Sequence, residues 1–241
     1  MLPLSDENKS FTRPLVNYAL ILVNTLVFFY FYFTLTPHQY QQLVYRYGVV
    51  PYEILRGERL YTVFTSMFLH ANILHLAGNM LYLYIFGDNV EDAMGHLTYL
   101  VFYLASGVGA TFFHIASILY LSESYKGVLL HIPAIGASGA ISGVLGAYLI
   151  LYPRARIRTL IFTFIIAVVS VPAYIYIGFW FIYQLFFGIL SLQQPASIAF
   201  WAHIGGFVTG MFLVKLAGVK PRRLYRYYYR WHPVYTPWVP G

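Results

Sequence analysis

The stretch "IGASGAISGVLGAYLILYPRAR", residues 135–156, decides the fold of this chain. It begins with small residues around Ser138, continues as an apolar run, and ends at Pro153 with arginines close behind. An apolar helix that stops at a basic boundary is typical of a segment that reaches the surface of a membrane. The stretch therefore predicts a membrane helix that starts at a hydroxyl group.

The composition of the whole chain also indicates a membrane protein. Hydrophobic residues make up 59% of the 241, and charged residues make up 10%. An average soluble domain has about 25% charged residues. Because the chain has no cysteine, disulfides, zinc–thiolate sites and cysteine nucleophiles are excluded.

Six apolar stretches predict six transmembrane helices, and therefore an all-α membrane protein. They cover 14–35, 73–86, 97–121, 137–152, part of 162–190, and 198–216. The segment over 157–190 is too long for one crossing and too short for two, and Pro172 interrupts it. Its first part is rich in β-branched residues, so we expect that part to lie along the interface or to re-enter the membrane.

The lysines and arginines predict the orientation of these helices. Eleven of the fifteen fall on one side of a six-span map. By the positive-inside rule that side is cytoplasmic, so we expect a multi-pass protein of the cell membrane with both termini cytoplasmic. Residues 1–13 and 218–241 then form tails around a helical domain over 14–217. The basic, aromatic C-terminal tail could bind RNA, but such residues next to a span usually anchor at lipid headgroups, so we expect no nucleic-acid partner.

Polar side chains inside apolar spans are costly and therefore mark functional candidates. His75 and Asn79 lie four residues apart on one face of the second span, and Ser138 opens the fourth. His203 lies early in the sixth span. We measure each height from the cytoplasmic end of the span at a rise of ~1.5 Å per residue. His75 and Ser138 then lie ~24 Å above that end, and His203 lies ~18–25 Å above it. The three side chains therefore come to one level.

The fourth span is short, which explains why it can begin at a serine. From Ser138 to Tyr152 it measures ~21 Å, less than the ~30 Å of bilayer hydrocarbon. Irregular backbone below the membrane surface is tolerated only beside a water-filled cavity or under protein cover. We therefore expect Ser138 at the floor of a pocket open to the outside.

Small residues predict which helices meet. Gly139, Ser142, Gly143 and Gly146 form a small face on the fourth span, and Gly206 and Gly210 lie on the face of His203 in the sixth. Such faces let helices approach closely, although this spacing is also common packing in any membrane bundle. Their pairing would bring the hydroxyl of Ser138 to the imidazole of His203, where a neutral histidine can take the proton of a serine nucleophile.

The rest of the predicted site follows from the same chemistry. Asn79, His75 and the backbone N–H of Ser138 are available to stabilise an oxyanion. Because the spans place no aspartate or glutamate nearby, we expect a dyad whose histidine is oriented by packing alone.

Each candidate also has a simpler interpretation. Ser138 could be only an N-cap, and His75 and Asn79 could bond only to a neighbouring helix. A metal site would draw on three histidines, which are His70, His75 and His203. Because the sequence has no HExxH motif and no carboxylate to join them, we expect no metal. His114 has no partner in the sequence pattern and is interpreted as structural.

Three motifs resemble the signature regions of the rhomboid family of intramembrane serine proteases, in the same order. They are "HANILHLAGNM" from His70, "GASGAISGVLGAY" from Gly136 and "AHIGGFVTG" from Ala202. The resemblance implies a six-helix bundle with a membrane-embedded first loop and a serine–histidine dyad. It assigns Ser138 as nucleophile and His203 as base. The remaining matches are an oxyanion pair, His75 and Asn79, and three motif glycines, Gly136, Gly139 and Gly206.

The chain departs from the family pattern at two places. A Trp-Arg pair often found in the first loop is replaced by Tyr61 and Thr62, which puts the anchoring of that loop in question. Ser142 stands where some members place an aromatic ring against the histidine. The family also implies that substrate enters sideways, which makes Trp180 and Phe181 a candidate gate and the loop over 191–197 a candidate cap.

The resemblance thus implies an intramembrane serine endopeptidase that cleaves transmembrane segments of other proteins near the outer face. Its partners are transmembrane substrates and the lipid bilayer, and it needs no cofactor. The alternative is a non-proteolytic relative that binds membrane helices for folding or extraction. Such a relative would be expected to lack the serine or the histidine.

Overall fold

The computed structural model describes residues 1–121, 123–162, 166–193 and 198–221, and these residues are mostly helical. A helix overlaps each of the six predicted spans, and the helix of the second span extends beyond it to Met94. The helices are α1 (Leu15–Thr34), α2 (Pro37–Tyr47), α3 (Pro51–Leu55), α4 (Thr62–Thr65), α5 (Ile73–Met94), α6 (His96–Leu119), α7 (Glu123–Leu129), α8 (Ser138–Leu151), α9 (Ala173–Ser191) and α10 (Phe200–Leu216). Part of the candidate cap, 194–197, and most of the C-terminal tail, 222–241, lie outside the described residues.

Three helices within these ranges are long and apolar enough to cross a membrane by themselves: α1, α6 and α9. Their outer surfaces carry large apolar side chains, with Phe33 of α1 76% exposed and Phe112 of α6 69% exposed. Exposed apolar area on this scale is expected of a surface in contact with lipid. The chain is therefore a multi-pass membrane protein.

The expectation of an all-α fold is wrong in one respect, because the described residues include a three-stranded antiparallel sheet. Its strands are β1 (Leu2–Asp6), β2 (Arg156–Phe162) and β3 (Ile166–Pro172), with β2 in the centre. Along β2, the buried side chains of Ile157 and Thr159 alternate with exposed arginines, which is the period of two that one covered sheet face requires. The β-branched segment before Pro172 therefore forms a hairpin, and the predicted N-terminal tail supplies its third strand.

The sheet is attached to the bundle through its first strand. The hydroxyl of Tyr148 on α8 donates a hydrogen bond of 2.5 Å to the carboxylate of Asp6 on β1.

Glu91 of α5, only 1% exposed, accepts hydrogen bonds from the backbone N–H groups of Val16 and Asn17 at 2.9 and 2.7 Å. This carboxylate takes the place of an N-cap for α1, whose own N-cap residue is Pro14.

The core of the bundle is α8, which packs against α5, α6 and α10. A Cβ added to Gly206 would fall 2.9 Å from the carbonyl carbon of Gly139 and nearer still to its oxygen. A Cβ on Gly210 would likewise collide with the backbone of Gly143. The structure therefore confirms that the small faces of α8 and α10 pair, and their backbones touch because these positions carry no side chain.

Candidate active site

The chain reaches α8 through a segment that is tied to the first loop. Gly136 donates its N–H to the carbonyl of Ser66 at 2.9 Å, and Val49 and Ala134 form an isolated β-bridge. Gly136 has φ +126°, and a Cβ there would lie 2.9 Å from Cε1 and Nε2 of His75. Only glycine fits this position without strain, because it must both adopt this backbone conformation and pass the imidazole.

Ser138 is the first residue of α8, and its hydroxyl faces α10. Its Oγ lies 2.9 Å from Nε2 of His203. The N-cap of α8 is Ala137, and no side chain caps this helix within the described residues. The simpler interpretation of Ser138 as only an N-cap is therefore wrong, and the pairing of the two helices brings this hydroxyl and imidazole into hydrogen-bond contact.

The second ring nitrogen of His203 has a partner that the sequence analysis missed. Nδ1 of His203 lies 2.9 Å from Oε1 of Gln184 on α9. Gln184 is 6% exposed, and it is a polar residue in a helix of otherwise mostly apolar side chains. The expectation that packing alone orients the histidine is wrong. The signal was present in the sequence, since polar residues inside apolar spans are costly.

Ser142 cannot supply the aromatic ring that some family members place against the histidine, and a ring from another helix lies there instead. The hydroxyl of Ser142 donates to the carbonyl of Ser138 at 2.7 Å, one turn back on the same helix. The indole of Trp180 on α9 lies near the imidazole of His203, with the ring centres 6.3 Å apart. The aromatic contact to His203 therefore comes from α9, and the hydroxyl of Ser142 bonds within its own helix, α8.

His75 and Asn79 face the same space from α5. Nδ1 of His75 accepts a long hydrogen bond of 3.4 Å from the N–H of Ala71, which favours the tautomer with its proton on Nε2, the nitrogen beside Gly136. Asn79 is 8% exposed, and its Nδ2 has no hydrogen-bond partner among the described residues. A buried amide donor without a partner in the native state calls for an explanation. The simpler interpretation, a bond to a neighbouring helix, does not supply one for this nitrogen.

A cavity of about 1230 Å³ joins these side chains. His75, Asn79, Ser138 and His203 all line it, and Trp180 lines it from α9. Phe181, the other candidate gate residue, stacks instead on Phe207 of α10, with ring centres 4.5 Å apart. The structure therefore separates the two gate candidates: Trp180 contributes to the cavity wall, and Phe181 joins α9 to α10.

Two further histidines considered above, His114 and His70, lie at this cavity or beside its lining. His114 of α6, which the sequence analysis interpreted as structural, lines it. His70 is fully buried, and its ring meets the ring of His75 edge-on with centres 5.1 Å apart. In the described ranges, no group of three or more histidine, aspartate or glutamate side chains is arranged to hold a metal ion. His70 and His75 thus form an aromatic contact.

The first loop is anchored by a residue other than the missing Trp-Arg pair. The guanidinium of Arg59 donates to Glu53 at 2.7 Å and to the carbonyl of Tyr45 at 2.7 Å, and it also contacts the carbonyl of Arg46. Partial burial disfavours its charge, but hydrogen bonds to Tyr61 and Glu53 raise the pKa of Arg59 above its ordinary value. Arg59, which lies just before the two replaced positions, therefore joins α2 to α3 within the first loop.

Comparisons with known proteins show the family of this chain. The family model described as the rhomboid domain matches residues 57–219. RHOMBOID-like protein 6, mitochondrial, of Arabidopsis thaliana is 30% identical over 70% of this chain and 48% of its own length. Rhomboid protease GluP of Bacillus subtilis (strain 168) is 29% identical over 86% of this chain and 36% of its own length.

A third relative, RHOMBOID-like protein 2 of Arabidopsis thaliana, is 33% identical over 70% of this chain and 46% of its own length. This chain thus spans less than half of the length of each of these relatives. The family model covers well over half of this chain, including all three motifs and the cavity-lining residues of α5, α8, α9 and α10. The chain belongs to the rhomboid family.

Proposed function

We propose that this chain is an intramembrane serine endopeptidase that cleaves transmembrane segments of other membrane proteins near the outer face. Ser138 is the nucleophile and His203 is the general base. His75 and Asn79 stabilise the oxyanion, and Gly136, Gly139 and Gly206 keep the backbones close enough for this geometry. The reaction passes through an acyl-enzyme that water hydrolyses, and it needs no cofactor.

The observation that carries the proposal is the contact of 2.9 Å between Oγ of Ser138 and Nε2 of His203 beside a large cavity. A serine hydroxyl is a weak nucleophile until a base within hydrogen-bond reach accepts its proton. The unpartnered amide of Asn79 supports the assignment further, since a preorganised donor is what a developing oxyanion requires.

The reaction follows from these positions. Oγ of Ser138 attacks the carbonyl carbon of the scissile peptide bond while Nε2 of His203 takes the hydroxyl proton. The carbonyl oxygen becomes an oxyanion, which the N–H donors of Asn79, His75 and the backbone bind. His203 then returns the proton to the leaving nitrogen, the C–N bond breaks, and an ester remains on Ser138. A water molecule then attacks the ester carbonyl while Nε2 of His203 takes its proton. The bond from the acyl carbon to Oγ of Ser138 breaks, His203 returns the proton to Oγ, and the carboxylic acid product leaves.

A substrate helix must unwind locally before it can be cut. In an α-helix each carbonyl accepts a hydrogen bond from the residue four positions on, so the scissile carbonyl is occupied until that turn opens. Helix-breaking residues and small side chains near the scissile bond therefore favour cleavage. A transmembrane reporter whose breakers are replaced by leucine should be cut more slowly, and equal cutting would contradict this step.

The proposed topology has six membrane helices: α1, α5, α6, α8, α9 and α10. The first loop is embedded near the outer face, and the two tails, 1–13 and 218–241, are cytoplasmic in a cell membrane. The absence of native cysteine allows a direct test. In intact cells, an impermeant maleimide should label Glu58→Cys, in the first loop, and should label Arg154→Cys only after lysis. The reverse result would invert the topology.

The function itself is tested with a fluorophosphonate probe on the full chain. Ser138→Ala and His203→Ala should abolish labelling. Ser142→Ala is the matched control, because this serine lies one turn along the same helix and bonds to a carbonyl, so labelling should persist. Labelling that survives in Ser138→Ala would remove the proposed nucleophile. A wild-type chain that neither labels nor cuts a reporter would favour the non-proteolytic alternative.

A further inference from the structure

Gln184 makes a contact that the proposed dyad alone does not use. Its Oε1 lies 2.9 Å from Nδ1 of His203, and its side chain is buried. We infer that Gln184 is a positioning residue, which fixes the tautomer and the ring orientation of His203; its effect on turnover rests on the proposed function. Nothing in the sequence motifs points to α9 for this purpose, since Gln184 lies outside all three.

The tautomer of His203 decides whether the ring can act as a base toward Ser138. A neutral imidazole carries one N–H and one acceptor nitrogen. Nε2 must be the acceptor to receive the serine proton, so Nδ1 must carry the hydrogen. The amide oxygen of Gln184 faces Nδ1 and can only accept, which stabilises this tautomer and disfavours the other.

The same contact fixes the plane of the ring. His203 is held at Nε2 by Ser138 of α8 and at Nδ1 by Gln184 of α9, on opposite sides of the imidazole. Trp180 lies four residues before Gln184 and therefore on the same face of α9, and its ring also approaches the imidazole. With both partners in place, the imidazole has little freedom to turn about its side-chain torsions.

A neutral acceptor suits this site better than a carboxylate. An ionised aspartate or glutamate inside a membrane bundle is expensive unless it is well paired. An amide oxygen can accept the N–H in the resting state and can align its dipole with the imidazolium that forms during attack. Among the described residues, the titratable side chains whose charges act on His203 are His75 of α5 and His114 of α6.

The first test measures the tautomer directly and does not depend on proteolysis. Ring ¹⁵N NMR of the full chain with labelled histidine, with His203 assigned by difference from His203→Gln, should show the hydrogen on Nδ1. Gln184→Met has a similar volume but no acceptor oxygen, and it should give a mixture of tautomers. An unchanged Nδ1–H tautomer in Gln184→Met would overturn the inference, whatever the activity of the chain.

The second test measures catalysis on a transmembrane reporter. Gln184→Met should lower kcat by about 10- to 100-fold, because a buried donor loses its acceptor, with KM within about twofold of wild type. Gln184→Glu keeps an acceptor oxygen at this place and should recover part of the lost turnover, although its ionised form is costly inside the bundle. Gln42→Met is the matched control, since Gln42 also contacts a histidine, His38, but on an exposed surface.

The outcomes separate this inference from the proposed function. Equal loss of turnover in the methionine and glutamate variants, or a rise in KM with kcat unchanged, would reduce Gln184 to a packing residue. A wild-type chain that shows the Nδ1–H tautomer but no turnover would contradict the proposed function and leave the positioning contact standing.

Discussion

Gly206→Ala should disable the site by adding a single methyl group, because α8 and α10 touch at this position. The added Cβ would lie 2.9 Å from the carbonyl carbon of Gly139. Carbon atoms in favourable contact are about 3.5–4.0 Å apart, so the helices must separate locally by about 1 Å. The neighbour is backbone rather than a flexible side chain, so no rotamer change can relieve the clash.

The effect on the site follows from the position of this contact. Gly206 and Gly139 each lie within one turn of the proposed dyad, His203 and Ser138. A separation of about 1 Å would stretch their hydrogen bond from 2.9 Å to nearly 4 Å, which is no longer a hydrogen bond. A misplacement of about 1 Å can cost about 100-fold in rate, and overpacking of a core costs about 1–3 kcal/mol in stability.

The assay compares the rate of fluorophosphonate labelling with the melting temperature in the same detergent. Gly206→Ala should label at least about 100-fold more slowly while still unfolding cooperatively. Gly178→Ala makes the same chemical change on α9, where an added Cβ has nothing within 4 Å among the described residues, and it should label like wild type. Wild-type labelling by Gly206→Ala would refute the argument that close backbone contact sets the geometry of the dyad.

Other substitutions test the rest of the site. Gly136→Ala combines an unfavourable φ of +126° with a clash against His75, so we expect a loss of about 2–3 kcal/mol in a denaturant titration and little labelling. Asn79→Ala should lower kcat by about 100-fold without lowering the melting temperature, because its Nδ2 has no partner to lose among the described residues; a large drop in melting temperature would instead indicate a structural role. Arg59→Ala should cost about 1 kcal/mol, or about 2–4 °C, whereas Arg56→Ala, whose ion pair is more exposed, should change neither; equal effects would argue against Arg59 as the loop anchor.

Two features of the bundle could be predicted because they depend on simple geometry. Helix rise places polar residues at calculable depths, so Ser138 and His203 could be assigned to one level from their distance to the basic ends of their helices. The close approach of α8 and α10 followed from the glycine spacing. The first feature depends on the regular rise of a helix, and the second depends on the spacing of small residues. Both can be worked out along single segments whose boundaries are clear in the sequence.

The features that were missed depend on contacts between distant segments. Gln184 had no visible partner in the sequence, since the rotation of α9 about its axis is set by packing. β1 lies in a short polar tail and becomes a strand only because β2 offers it a partner more than 150 residues later, as in the pair Leu2 and Leu160. Arg59 anchors the first loop from a backbone conformation with φ +50°, which residue type alone does not indicate.

The sheet order β1-β2-β3 also has a consequence for biosynthesis. At translation rates of about 5–20 residues per second, β1 leaves the ribosome roughly 8–30 s before its partner strand β2 is synthesised. During that interval four of the proposed spans must insert while the segment that will close the sheet is still unmade. The pairing of β1 with β2 therefore joins the first and middle parts of the chain late in synthesis. A ribosome stalled between α8 and β2 would leave the nascent bundle without this pairing.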